Sequence, residues 1–384
     1  MKNKINYFFL VWAFFLLYVC LVFGARHDYL AYLVHWKLIL EGSNSWVTNA
    51  TGVGHNAYGP FHSIYAYFLF FGILGPKFFQ LTIFLVANFF LLKELHKINF
   101  FLEKKNILFY LLAVPGNFLT LNVTAILGLN DTLVASIVLF AVLFRLNEKN
   151  YLAGSLIGLA ALIKYFPIFL LPFFSLNQSK KIEWRVIIAG TLTLILGLFI
   201  SIFFWGDGFI NSIIYGATRD PKTLSIFKAL SQTFFTENLS GLAKILWINF
   251  LKYNFILVIF CSSVLFFITY FLKIHFLVSS ILGLWTVFTF YKVGHSNFYL
   301  TWLMMVTCLP LIENKIMDAK NLKSCCIAFF LFLSIYSWGF VFATDGYTGK
   351  SSVVRDIVGY ISFYLSLGGI LFFFLSRNSK EQKN

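Results

Sequence analysis

Long apolar blocks alternate with short polar, basic or glycine-containing joints from one end of the 384 residues to the other. Most blocks approach the roughly 20 residues that an α-helix needs to cross a ~30 Å hydrocarbon core, and no stretch is left for a soluble domain. The pattern predicts an all-α polytopic membrane protein, with residues 1–384 forming a single membrane-embedded domain. The first block, Ile5 to Gly24, follows a basic start but carries Phe23 two positions before Ala25, where cleavage needs a small residue. It reads as a retained signal anchor with a cytoplasmic N-terminus. The other predicted spans are 78–92, 107–121, 131–146, 152–165, 167–177, 186–205, 254–272, 275–291, 297–312, 324–343 and 357–376. That makes about twelve crossings, with both termini cytoplasmic. Segment 61–74 then has to be an interfacial or re-entrant helix, because a further span there would carry the basic stretch 93–106 to the outside. The short blocks on either side of Pro167 predict a broken helix pair dipping from the outer face.

Composition agrees with this class: 59% of residues are hydrophobic and 12% charged, and the mean hydropathy is +0.81. A formal charge of +15 raises the question of nucleic acid. Its distribution answers it, because Lys and Arg gather in short clusters between apolar blocks, at 93–105, 180–185, 315–323 and 377–383, as orientation signals do. Cys20, Cys261, Cys308, Cys325 and Cys326 lie in or beside apolar blocks, with neither a disulfide framework nor metal-ligand spacing.

With the basic clusters inside, the remaining polar residues sort to the outer side, and four segments stand out. Residues 28–40 lack Gly and Pro and predict a helix lying on the bilayer. On it Asp28, Tyr32 and His35 share a face at i, i+4 and i+7. His27 precedes this helix, and Tyr58-Gly59-Pro60 lies in the irregular return after it. An N-cap role is the plain alternative for Asp28. Gly128-Leu129-Asn130-Asp131 opens the next motif-bearing span, where Asn130 and Asp131 suit an N-cap and the positive end of a helix dipole as well as a site. Lys164 ends a span just before the helix-breaking Pro167, a place equally suited to snorkelling. Lys292, His295 and two tyrosines crowd the short turn 291–299, which a simple hairpin would fill with Gly and Asn. Arg219 and Arg355 supply further outer-side cations.

Together these segments resemble the GT-C superfamily of integral-membrane glycosyltransferases. Asp28-Tyr29 and Tyr58-Gly59-Pro60 stand where that superfamily keeps an acidic first-loop motif and a Tyr-x-Pro-type segment. Gly128 to Asp131 looks like its Gly-x-x-Asp, and the run from Gly158 to Lys164 like a stretch that ends in a Lys. The segment Lys292 to Tyr299, with Trp302 and Leu309-Pro310-Leu311, is similar to a late motif of the mannosyltransferases that begin the GPI-anchor glycan and of related bacterial enzymes. The chain departs from the pattern in having one first-loop acid where two are common, Glu41 being the next along; a hard cation wants several oxygen ligands, so a divalent metal is not supported.

The resemblance implies a GT-C-like fold and transfer, with inversion, of a sugar such as mannose from a polyprenyl-phosphate donor to a glycan or glycolipid acceptor, on the extracytoplasmic face of a bacterial plasma membrane. Asp28 and Asp131 are the expected catalytic residues. His27, Tyr32, His35, Tyr58, Asn130, Lys164, Arg219, Lys292, His295 and Arg355 are expected to bind substrate, with no cofactor and no nucleic-acid partner. Two rivals are a flippase of lipid-linked sugars and a polysaccharide polymerase or ligase, the latter using the same donor lipid and the same outer face. A flippase predicts charges buried in mid-span and symmetry between halves. The blocks 186–205 and 254–272 are free of charge, and no repeat is visible.

Overall fold

The computed structural model describes residues 2–46, 56–179, 181–232, 239–313, 316–342 and 353–381. It is built of helices. In chain order come α1 (Lys2–Phe23), α2 (Asp28–Leu40), a 3-10 helix (Pro60–Phe71), α3 (Gly75–Lys97), α4 (Lys104–Ala113), and α5 (Phe118–Leu121) running into a π-helical turn (Asn122–Ile126). Then follow α6 (Asp131–Leu146), α7 (Asn150–Ile163), a 3-10 turn (Phe166–Phe169), α8 (Leu170–Phe174), α9 (Trp184–Trp205), α10 (Ile210–Thr218) and α11 (Ile226–Gln232). The chain continues with α12 (Gly241–Lys252), α13 (Asn254–Phe271), α14 (Phe276–Phe290), α15 (Tyr299–Val306), α16 (Pro310–Glu313), α17 (Met317–Phe342) and α18 (Val353–Glu381). Two-residue strands β1 (Lys222–Thr223) and β2 (Val293–Gly294) pair in parallel.

Seven segments among the described residues are long and apolar enough to cross a membrane: Asn6–Phe23, Gly75–Lys97, Lys104–Ile126, Trp184–Trp205, Asn254–Phe271, Met317–Gly339 and Ile357–Arg377. The other expected spans are shorter, and there is a physical reason. α6, α14 and α15 are buried along nearly their whole length. A helix wrapped by other helices meets no lipid, so its length is not set by the hydrocarbon thickness and its backbone can break where protein surrounds it. The expected span 107–121 is broken in this way. Pro115-Gly116 interrupts the helix, and Asn117 restarts it by accepting a hydrogen bond from the Leu119 N–H at 3.0 Å. Segment 61–74 is the 3-10 helix, with His62, Ser63, Tyr65 and Ala66 facing inward and Tyr67, Phe70 and Phe71 outward. Around Pro167 the chain forms a 3-10 turn and the short α8, the expected interruption.

The helix ends divide the polar groups between two ends of the molecule. One end gathers the basic clusters into paired arrangements. Arg377 bonds Asp318 at 2.7 Å and the Leu272 carbonyl at 2.7 Å, and Lys323 pairs with Glu313. Buried Arg145, at the end of α6, donates to the Phe174 carbonyl (3.0 Å), the Leu176 carbonyl (3.3 Å) and Asn150 Oδ1 (2.9 Å). The opposite end gathers Asp28, Tyr58, Asp131, Lys164, Arg219 and His295. α7 is seated tightly on α9, since a Cβ on Gly158 would lie 2.4 Å from the Gly190 carbonyl oxygen, a small-residue contact typical of membrane interiors.

Arg145→Met removes three hydrogen bonds from a buried guanidinium and strands two carbonyls. The expected loss is about 2–4 kcal/mol of stability, read as a lower unfolding midpoint in detergent, and an unchanged midpoint would refute the anchoring role.

Candidate active site

α2 lies with one face on the protein and the other away from it. Tyr29, Tyr32, His35, Trp36 and Ile39 are buried, while Leu30, Lys37 and Leu40 are exposed. The predicted stripe of Asp28, Tyr32 and His35 therefore runs from a solvent-facing carboxylate into the core. His27, at φ +48°, holds the N-cap position and makes no side-chain capping bond, so Asp28 is the first helical residue and not the cap. Glu41 ends the same helix, roughly 20 Å away along its axis, and does not share the Asp28 end.

The buried face of α2 packs on the return segment. Tyr32 donates its hydroxyl to the Tyr58 hydroxyl at 2.9 Å, and the Trp36 indole N–H reaches the His62 carbonyl at 3.1 Å. His62 sits edge-on to Tyr32 at 5.0 Å and tilted on Tyr58 at 4.6 Å. Its Nδ1 faces Asn130 Nδ2 at 3.4 Å. The Gly59 N–H donates to the Ile163 carbonyl at 3.0 Å, which ties this aromatic cluster to the end of α7. A Cβ at 59 would lie 2.2 Å from the Leu162 carbonyl oxygen, which is why glycine stands there.

Beyond that tie lies an ion pair. Lys164, turned inward at the end of α7, donates its ammonium to both carboxylate oxygens of Asp131 at 2.7 Å. Asp131 is fully buried, Lys164 is 8% exposed, and Asn297 donates to Asp131 Oδ2. The Lys164 ammonium also stands over the Phe298 ring at 4.3 Å and the Tyr58 ring at 5.7 Å. The plain alternatives fit this geometry only in part: Asp131 does stand in the first turn of α6, at the positive end of its dipole. Lys164 does not snorkel, and neither Asn130 nor Asp131 caps α6 with its side chain, Asn130 being the N-cap residue without such a bond.

The cations arrive on the paired strands. The Lys222 N–H donates to the Lys292 carbonyl and the Leu224 N–H to the Gly294 carbonyl, both at 3.0 Å, so the segment after α10 is stitched to the 291–299 turn. Asn254 fixes that turn from α13, accepting from the Lys292 N–H at 2.8 Å and donating to the Phe290 carbonyl at 3.0 Å. Arg219 Nη2 lies 3.3 Å from His295 Nε2. A guanidinium only donates, so His295 Nε2 is the acceptor and its proton sits on Nδ1. Burial, and then Arg219, Lys164 and Lys222, hold this imidazole well below its usual value, so His295 is a neutral partner of Arg219 and not a further cation. Lys292 is lowered by burial and raised by Asp220. Arg355 lies in the first turn of α18, where only the backbone is described.

Asp28 belongs to the same electrostatic neighbourhood. Solvent reaches it, yet the protein crowded around it makes burial the leading influence, raising its carboxyl above the ordinary value. Lys164, then Arg219 and His27, pull it back, and Asp131 adds to the rise. The site thus holds an accessible, destabilised carboxylate beside a buried, fully paired one, with Arg219 and Lys222 at its edge. Among the described residues no three His, Cys, Asp or Glu side chains come together as a metal site. His62, Asn297, Lys222 and Asn254 were not singled out as site residues from the sequence. His62 and Asn297 lie inside segments that were, Lys222 falls among the outer-side polar residues beside Arg219, and nothing local marks Asn254.

Neutralising one partner of the buried pair leaves an uncompensated charge, so Asp131→Asn and Lys164→Met should each cost about 3–5 kcal/mol. The double variant should cost clearly less than their sum in thermal unfolding. Additive costs would mean that the two groups do not interact.

The segment from Asn56 onward also matches a known family. A search of curated proteins gives no match. The model of glycosyltransferase family 87 matches residues 56–273, more than half of the chain, and takes in Tyr58, Asn130, Asp131, Lys164 and Arg219 while leaving Asp28 and the 291–299 turn outside. With Asp131 and Lys164 bonded to each other inside that matched stretch, the chain belongs to glycosyltransferase family 87.

Proposed function

We propose that this membrane glycosyltransferase transfers a hexose, mannose being the first to test, from a polyprenyl-phosphate donor to a glycan or glycolipid acceptor, with inversion, and that Asp28 is the base. The observation that carries the reading is the pairing of roles. Asp28 is accessible, raised and, among the described residues, unclaimed by any cation at hydrogen-bond distance, whereas Asp131 has both oxygens engaged. The acceptor hydroxyl gives its proton to Asp28 as its oxygen bonds to the anomeric carbon. The bond from that carbon to the phosphate oxygen breaks on the opposite face, and the electron pair leaves with the lipid phosphate. Arg219, held by His295, and Lys222 meet the charge that develops there. Asp131 keeps Lys164 extended under Tyr58 and Phe298, a fixed cation close to the reacting centre. Tyr58 offers an aromatic face to a sugar.

An outer location for this site is favoured by the basic clusters at the opposite end of the molecule. If the shorter helices α6, α7, α8, α14 and α15 complete the traverse, the chain passes between the two ends about twelve times. A bacterial plasma membrane is the expected setting. Cysteines placed at 210–220 should be labelled from outside intact cells, with 97–105 protected; labelling of 97–105 from outside would reverse the assignment.

Asp28→Asn keeps the shape and removes the basic oxygen, so transfer should fall by roughly 10²–10⁴-fold with folding intact. Full activity in that variant would remove Asp28 from the chemistry. A base must be deprotonated, so kcat/KM should rise with pH through a value above the ordinary carboxylate figure of about 4. Because Arg219 lowers the Asp28 value, Arg219→Gln should move this acid limb to higher pH. A shift to lower pH would contradict the assignment.

A further inference from the structure

Lys77 belongs to no motif, yet it is a fully buried cation in the first turn of α3. Charges inside membrane proteins are costly and are held by specific partners. Among the described residues no carboxylate pairs with Lys77. Its ammonium donates instead to two backbone carbonyls, Gly24 at 2.8 Å and Ile126 at 2.9 Å, with the Tyr29 ring 6.0 Å away. Each carbonyl stands at the C-terminal end of a helix: Gly24 follows α1, and Ile126 closes the π-helical turn after α5. Helix ends present unbonded carbonyls and partial negative charge, so one ammonium satisfies two ends at once.

The two stapled points have a common sequel. Four residues after Gly24 comes Asp28, and five after Ile126 comes Asp131. The stem of Lys77 also fixes the second route. Gly128 has φ +62°, and a Cβ there would lie 2.6 Å from Lys77 Cγ and 2.7 Å from Cδ, so the backbone of the Gly128 to Asp131 segment rests directly on the lysine. Tyr29, next to Asp28, is tied to the same region by its hydroxyl on the Ile73 carbonyl at 2.8 Å.

We infer that Lys77 is a positioning residue for glycosyl transfer, which sets the placement of Asp28 relative to the Asp131–Lys164 pair by stapling the two chain segments that lead to them. The inference rests on the reading of Asp28 as base. A staple that served stability alone would change the unfolding midpoint and leave turnover per folded molecule untouched. A staple that positions the carboxylates lowers kcat with little change in KM, since misplacement by about 1 Å far from the chemistry costs on the order of 10²-fold.

The test uses the full chain in lipid, with whichever polyprenyl-phosphate hexose the wild type turns over, and compares Lys77→Met, Gly128→Ala, their double variant and Asp28→Asn. Lys77→Met should lower kcat by about 10²-fold with KM within roughly threefold. Gly128→Ala, which keeps the ammonium but pushes its stem, should do the same, and the double variant should be no worse than the poorer single one. Hydrogen exchange, which needs no substrate, should quicken at both 24–30 and 126–132 in Lys77→Met. Unchanged kcat in Lys77→Met, or faster exchange in only one of the two segments, overturns the inference. If Asp28→Asn alone keeps full activity, the reading of the base fails instead. If Lys77→Met does not fold, Gly128→Ala decides, and normal kcat with unchanged exchange at both segments overturns the staple.

Discussion

A lysine and an aspartate bonded at 2.7 Å inside a membrane protein constrain everything near them. Two opposite charges taken out of water repay the loss only when their geometry is good and their remaining bonds are filled. Here the filling comes from separate stretches of chain. Asp131 starts α6 and Lys164 ends α7, Asn297 takes the second carboxylate oxygen, and the rings of Tyr58 and Phe298 stand against the ammonium. Satisfying that one pair thus brings together the first-loop return, the Gly128 to Asp131 turn, the break before Pro167 and the 291–299 turn. The site is assembled as a by-product.

The same rule, applied at the other end, gives anchors without chemistry. Arg145 and Arg377 are as well bonded as Lys164, but their partners are helix-end carbonyls, Asn150 and Asp318, and the acids that share the field of Arg145, Glu183 and Glu148, only reinforce its charge. What separates the candidate site from these anchors is Asp28, which shares the field of Lys164 and Arg219 without being consumed by either.

Much of this was legible in the sequence, for identifiable reasons. Helix 28–40 was readable to the residue because nothing within it breaks a helix and Gly42 follows. Asp131, Lys164 and the 291–299 turn stood out because a polar residue in so apolar a chain is costly. What was hidden is partnership. Sequence spacing relates Asp28 to Tyr32 but not Lys164 to Asp131, 33 positions away, nor Asn297 to Asp131, 166 away. Helix continuity was hidden for a related reason. The expected span 297–312 is a 3-10 turn (Ser296–Phe298), the 8-residue α15 and then α16, a broken path that enclosure by protein allows. Lys77 follows Gly75-Pro76 at a joint between two apolar blocks, where a cation is ordinary, and its two carbonyl partners are visible only in three dimensions.

The central claim is that an accessible carboxylate and a phosphate-facing set of cations work on a lipid-linked sugar. Its most direct test is transfer by the purified protein in liposomes, comparing a panel of polyprenyl-phosphate hexoses with the corresponding nucleotide sugars. The account predicts release of polyprenyl phosphate with at least one lipid donor and no transfer from any nucleotide sugar. Transfer from a nucleotide sugar in the absence of lipid donor would contradict it.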